Sequence, residues 1–512
     1  MPNKTIRLPK LRNISNSIIN SGRRRFIEKA AGLVTGSLLL PRLSPAATVI
    51  RNNPAKTLAA LKSRVAGTVV ERGDPTYEPW RRSMIWQYRK FRRYPDVIVQ
   101  AETEADVVEA VNFARHNQLK ITTRSGGHSW SGCYLRNEGV LVDVSRLQKI
   151  EMDTRTGIAV VEAGVIGRGL SEYLRPYGLA FPTAHCGMVP LSGFLLGGGL
   201  GLNSGAWGGM SVFNIAGLDV VTAEGELLHV NENRNTDLFW AARGAGPGLF
   251  FTVTRFYLRC HPLPRAISTD YYTFHYSDML QVVEMVEEVG PSLDPNLEVL
   301  TVVVPTPPDL AAQCKGDQCG RVVVMTAITF ADTQSQAKRM LAPIEAHPTG
   351  KLALTTLKNR PTPMEVLYQD NEGPFPQRRA RADNIYTDNI LDSAGVLSKH
   401  MLTSPSDGNT PVILWRGDLT FPDAACSTSG LFYLAGYAQW DHAEDDHANQ
   451  DWLRNFYDEM QPYASGFYIN EFDRETRSDM TSACFAPENW EKLNQLRRQY
   501  DPEGVYHDFL SV

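Results

Sequence analysis

No apolar run in this 512-residue chain approaches the roughly 20 residues that a helix needs to cross a bilayer, so a membrane span is not expected. Charge of one sign is also missing. With 52 basic and 56 acidic side chains the formal net charge is −4, which leaves no electrostatic footprint for nucleic acid and points to a small-molecule partner. There is no internal repeat and no low-complexity tract, which excludes solenoids and arrays. No cysteine and histidine spacing forms a zinc pattern. A Rossmann G-x-G-x-x-G between a strand and a helix is absent as well. What remains is a globular composition with enough length for two or three ordinary domains.

The first 47 residues stand apart. The stretch SGRRRFIEKAAGLVTGSLLLPRLSPAA has a basic head, an apolar centre and a small-residue end near Ala46 and Ala47. Its Arg23-Arg24 pair, followed by Arg25, Phe26 and Ile27, resembles a twin-arginine export signal. Residues 1–47 are therefore expected to be a signal peptide, and the mature chain is expected in the periplasm or outside the cell. Seven cysteines (Cys133, Cys186, Cys260, Cys314, Cys319, Cys426 and Cys484) are an odd number for an oxidising compartment, so one should be left over or used chemically. Cys314 and Cys319 flank a polar turn, CKGDQCG, that a disulfide could close.

From residue 95 the pattern alternates: VIV is a short apolar run, TEADVVEAVNFARHN has helical spacing with acids early, and KITTRS is extended. That is a β-α-β unit. GVLVDVS, GIAVVEAG and the hairpin LDVVTAEGELLHV continue an α+β region over 48–264. Over 265–465, strand-like TVVVP, RVVVMTAITF and GLFYLAGYAQW interleave with helix-like SDMLQVVEMVEEV, QSQAKRMLAPIEAH and NQDWLRNFYDEMQPY, which fits a sheet with helices on one face. Residues 466–512 hold a helix ended by Asp-Pro and are expected to return to the first region.

Glycine loops punctuate the first region. TTRSGGHSWSGC places His128 behind Gly126 and Gly127, a second loop carries Gly197, Gly198, Gly199 and Gly201, and a third reads RGAGPG. Residues without Cβ let successive N–H groups turn toward an anion, and three such loops together suit a long dinucleotide threaded between strands. By themselves His128 and Cys186 are equally compatible with a hydrogen-bonded histidine and a buried thiol.

RSGGHSW (124–130), Cys186 with Val189 three residues on and Gly193 seven on, and the following Gly-Gly-Gly-x-Gly closely resemble the berberine-bridge-enzyme-like FAD-linked oxidases of the vanillyl-alcohol-oxidase superfamily. DLFWAARGAG (237–246), FYINEF and YDPEGVY extend the resemblance over most of the chain. It implies a PCMH-type FAD-binding domain of two α+β subdomains, joined to a substrate domain whose antiparallel sheet is covered by helices. It also implies bicovalent FAD, with His128 bonded to the 8α methyl and Cys186 to ring carbon 6. Arg124, Ser125, Gly126, Gly127, Ser129, Val189, Gly193, the four later glycines and Asn470 would line the cofactor.

Oxidation of an alcohol or amine sends a hydride to the flavin and needs a base near the substrate heteroatom. The resemblance supplies Tyr468 for this, from the element Tyr468-Ile469-Asn470 on an expected strand, with Asp418 or Arg416 as a partner. The resemblance also puts Val189 at the family's oxygen-gating position, which implies an oxidase that makes hydrogen peroxide. Tyr271, Tyr272 and Trp415 are candidate aromatic walls. The expected substrate carries a hydroxyl group, as a carbohydrate or an aromatic or phenolic alcohol. A dehydrogenase with a quinone or protein acceptor, an amine oxidase and a non-catalytic flavin carrier are the alternatives. GLGLNSGAWGG and GAGPGLFFTVT depart from the usual loop endings, so substrate identity does not carry over.

Overall fold

Thr103 shows how tightly local sequence sets the first elements. Its hydroxyl accepts the N–H of Asp106, whose carboxylate turns back to the N–H of Thr103, a capping box that starts the helix Glu104–His116. The same carboxylate accepts the N–H groups of Ala66, Gly67 and Glu102 and so ties the preceding loop to the helix. The computed structural model describes residues 57–312, 320–372 and 377–510, so the expected signal peptide and the Cys314 and Cys319 loop lie outside the described residues.

The first sheet contains β1 (Thr68–Glu71), β2 (Val97–Gln100), β3 (Ile121–Arg124) and β4 (Val140–Asp143) in the order β1-β2-β4-β3. The strands flanking the helix are therefore not neighbours. β4 sits between them, parallel to both, which leaves the end of β3 and the glycine loop after it at the sheet margin.

A second, antiparallel sheet is built from β5 (Ile150–Asp153), β6 (Ile158–Glu162), β8 (Ile215–Val221), β9 (Leu227–Asn231) and β10 (Thr252–Arg259), in the order β5-β6-β10-β8-β9. β8 and β9 are the expected hairpin. β7 (Leu179–Ala180) and β11 (His261–Pro262) pair as a short ribbon. Glu104 accepts from Thr254 and Arg255 on β10, so the capped helix is fastened to the second sheet as well as following the first.

The third sheet has seven antiparallel strands: β12 (Ala266–His275), β13 (Leu297–Pro305), β14 (Arg321–Ala331), β15 (Thr355–Pro361), β16 (Arg379–Thr387), β17 (Thr410–Trp415) and β18 (Phe432–Trp440), ordered β15-β12-β14-β13-β17-β18-β16. Helices Met279–Val289, Gln334–Ala346, Ile390–Leu402 and Asp446–Met460 cover one face, as expected. Along β13 burial alternates, with Leu297, Val299, Thr301 and Val303 buried while Glu298 and Leu300 keep some exposure on the other face. The last segment returns to the first sheet: Tyr506 bridges to Ile121, and its hydroxyl lies 3.1 Å from that of Thr252 on β10.

No helix among the described residues is long and apolar enough to cross a membrane. Cys133, Cys186, Cys260, Cys426 and Cys484 are all free thiols, so the described cysteines form no disulfide with one another.

Candidate active site

β3 ends at Arg124, and the loop after it folds back sharply. Gly127 has φ +72°, and a Cβ there would lie 2.0 Å from the Met84 carbonyl oxygen, so only glycine fits. His128 then packs flat on Trp86, with ring centroids 4.9 Å apart and planes 2° from parallel. Both residues line a cavity of about 700 Å³ that runs from the margin of the first sheet to the uncovered face of the third. Burial pushes the His128 imidazole down to about 4, so at neutral pH it is the uncharged ring, which has a lone pair to bond with.

Cys186 lines the same cavity, with its thiol 3.7 Å from Oε1 of Glu372. Burial pushes the thiol up to about 11, and Glu372 adds to the shift. Arg168 donates to both oxygens of Glu372 at 2.8 Å, and the N–H of Gly187 donates at 3.1 Å. Val189 lines the cavity beside them. A Cβ built on Gly193, another lining residue, would meet nothing within 4 Å.

At the sheet-margin end the N–H groups of Gly126, Gly127, His128 and Ser129 make no hydrogen bond to protein acceptors among the described residues. Arg124, Arg136, Arg474 and His507 line this end with Tyr506. Arg124 Nε, Arg474 Nε and His507 Nε2 are buried without a partner among the described residues. Burial, reinforced by Arg136 and Lys120, pushes His507 down to about 3. A row of unused N–H groups beside guanidinium groups with spare donors is the donor set that a pyrophosphate takes. The residues present therefore fit FAD, and Arg136, Arg474, Tyr506 and His507 join the expected set.

The later glycines do something else. Gly197, Gly198, Gly199 and Gly201 do not line the cavity. A Cβ on Gly197 would fall 2.1 Å from Asn470 Oδ1, and one on Gly201 would meet Ser211 Oγ at 2.3 Å. Gly197 clears space for the Tyr468 element, while Gly199 and Gly201 let their loop close on Phe194 and Ser211. The N–H of Gly199 donates to the Tyr468 hydroxyl at 3.2 Å, and Asn470 Nδ2 donates to it at 2.9 Å. Tyr468 and Asn470 do line the cavity, but from a turn closed by the Glu471 N–H on the Tyr468 carbonyl, not from a strand. Burial raises the phenol well above its ordinary value, so Tyr468 stays protonated at neutral pH.

Asp418 is not part of this arrangement: it is exposed beyond the end of β17 and does not line the cavity. Arg416 is buried and donates to the Gly209 carbonyl at 2.7 Å, bracing a loop. Tyr271, Tyr272 and Trp415 miss the cavity too. Tyr271 donates to Asp370, Tyr272 is buried, and Trp415 lies where a Cβ on Gly290 would meet its ring at 2.5 Å. For Trp415 strand alternation is the reason, since Leu414 turns to the cavity and its neighbour must turn away.

The walls come from residues that the sequence reading passed over: Trp86, Trp130, Leu300, Val412, Leu414, Tyr433 and Tyr437. Leu300, Leu414 and Tyr433 are consecutive cross-strand partners, and Tyr437 lies four residues along β18 on the same face. Glu471, directly after Asn470, accepts from the hydroxyls of Tyr433 and Tyr437 at 2.5 and 2.6 Å. His185, next to Cys186, is 2.6 Å from Glu298. Adjacency to expected site residues was the available signal for both His185 and Glu471.

Comparison with known proteins agrees with this geometry. Residues 95–231 match the FAD binding domain family. The FAD-linked oxidoreductase ptmO of Penicillium ochrochloron is 28% identical over 437 residues, covering 84% of this chain and 93% of the relative. Among solved structures, BBE-like 1 of Physcomitrella patens is similar with a TM-score of 0.75 at 20% identity, covering 89% of this chain and 99% of that one. Berberine bridge enzyme from Eschscholzia californica is similar with a TM-score of 0.71 at 16% identity, covering 89% and 98%.

Proposed function

We propose, from the premise that this chain is an FAD-linked oxidoreductase with the berberine bridge enzyme fold, that it is an exported oxidase carrying bicovalent FAD and acting on an aromatic, largely apolar alcohol. The observation that carries this reading is the convergence of His128 and Cys186 on one cavity whose far end is walled by aromatic rings. FAD bound there would take the hydride from the alcohol carbon, and that hydrogen together with the proton lost from the hydroxyl would leave with dioxygen as hydrogen peroxide.

The protein's own part is to hold and to exclude. Arg124, Arg136, Arg474 and the loop N–H groups would hold the pyrophosphate, while His128, neutral because it is buried, and Cys186 would fix the ring covalently. Tyr468, with its oxygen already fed by two donors, keeps its own proton free to hydrogen-bond a substrate oxygen. Trp130, Leu300, Val412 and Leu414 exclude water, and such walls favour an aromatic alcohol over a carbohydrate, whose many hydroxyls need polar partners. Outside the cytoplasm no FAD pool exists to replace lost cofactor, so double attachment before export through the twin-arginine route serves the expected location.

Acid precipitation and protease digestion of the purified protein test the reading. Flavin peptides spanning His128 and Cys186 are expected by mass spectrometry, with His128→Ala and Cys186→Ala each keeping one linkage and the double variant releasing all flavin. Complete release from the wild type would overturn bicovalent attachment. Flavin bleached anaerobically by an aromatic alcohol that gives no peroxide under air would overturn the oxidase assignment in favour of a dehydrogenase.

A further inference from the structure

Glu471 is the one carboxylate lining the cavity that has no basic partner within ion-pair distance among the described residues. Glu372, the other, is neutralised by Arg168, and the cationic form of His185 is matched by Glu298. Tyr433 and Tyr437 orient Glu471 through one oxygen, and the Trp130 indole also hydrogen-bonds it. The rings of Trp130 and Tyr437 lie 5.0 Å apart, and Tyr433 meets Tyr468 edge-on at 5.9 Å. Buried charge is ordinarily paired, and hydrogen bonds from neutral phenols supply no counter-charge. Electron-rich aromatic faces around such a carboxylate attract a cation rather than a neutral group.

We propose that this end of the cavity is a cation subsite, in which Glu471 and the rings of Trp130, Tyr433 and Tyr437 hold an ammonium group. The aromatic compounds oxidised here accordingly carry a basic nitrogen. This rests on the oxidase reading for its link to substrate, but the subsite itself is a binding property. The carboxyl is raised above its ordinary value by burial, with Tyr433, Tyr437 and Trp130 opposing the shift by hydrogen bonds and His185 by charge. An arriving cation supplies the counter-charge that keeps it ionised.

The test uses the flavin-loaded protein with benzyltrimethylammonium, which has no lone pair to oxidise, and benzyl alcohol as a neutral probe of similar body. Binding is followed by perturbation of the flavin visible spectrum and by calorimetry. The wild type is expected to bind the cation at least about tenfold more tightly, and Glu471→Gln, isosteric but neutral, is expected to lose that preference while still taking benzyl alcohol. Equal affinities in the wild type, no binding of the cation, or a preference that survives Glu471→Gln would each overturn the proposal. The wild-type comparison is decisive by itself if the variant fails to load flavin. Failure here leaves the oxidase reading standing, whereas flavin bleached anaerobically without peroxide under air strikes that reading and not the subsite.

Discussion

His185 and Glu298 face each other at 2.6 Å beside Cys186, and their pairing has a pH signature. Burial opposes the imidazolium, yet Glu298 outweighs it and holds His185 above its ordinary value near 6.5. The native state then binds the proton more tightly than the unfolded chain. The resulting stabilisation is complete below about pH 6.5 and fades as pH rises through the native value. Glu298→Gln is expected to flatten that slope and to cost about 2–3 kcal/mol at pH 6, because a partly buried cation loses its charged partner. Urea midpoints measured from pH 5 to 9 would show it. A variant with an unchanged slope would remove His185 as the titrating group.

At the scale of elements, the loop after the helix Leu191–Leu196 governs where Tyr468 sits. Gly199 has φ +82°, and a Cβ there would meet Phe194 and Ser211 at 2.9 Å. Gly199→Ala is therefore expected to cost at least roughly 1–2 kcal/mol in backbone strain alone. It also displaces the N–H that donates to the phenol, so anaerobic flavin bleaching should slow along with the fall in melting temperature. A variant of wild-type stability and rate would show that the loop is a mere connector. The glycine runs were conspicuous in the sequence, but their uses diverged: Gly126 and Gly127 serve the cavity-lining loop, Gly199 and Gly201 accommodate nearby Phe194 and Ser211, and Gly197 makes room for Asn470, some 270 residues later. Local composition carries no information about which atoms approach from that far along the chain.

For the whole molecule, the C-terminal segment is the clasp between the third sheet and the first. Arg477 donates to Asp383 on β16 at 2.6 Å, with both side chains nearly inaccessible, and Tyr506 pairs back to β3. Arg477→Ala leaves a buried carboxylate without its cation and is expected to cost about 3–5 kcal/mol. Because Tyr468 and Glu471 belong to the same segment, flavin content should fall together with thermal stability. Full flavin loading in a strongly destabilised variant would show that the clasp and the cavity are independent.

By itself the sequence determined most of the elements and singled out His128 and Cys186, which line one cavity. Alternation and helical spacing are local properties, and a histidine behind paired glycines with a distant cysteine is a pattern legible without coordinates. The α+β class, the helix-covered antiparallel sheet and the return of the last segment were legible for that reason. Only tertiary structure decided which strand faces look into the cavity. It turned Leu414 inward and Trp415 outward, left Asp418 outside, placed Tyr468 in a turn and brought Glu471 against Tyr433 and Tyr437. Those outcomes depend on register and on contacts between residues far apart in the chain, which spacing along one strand does not encode.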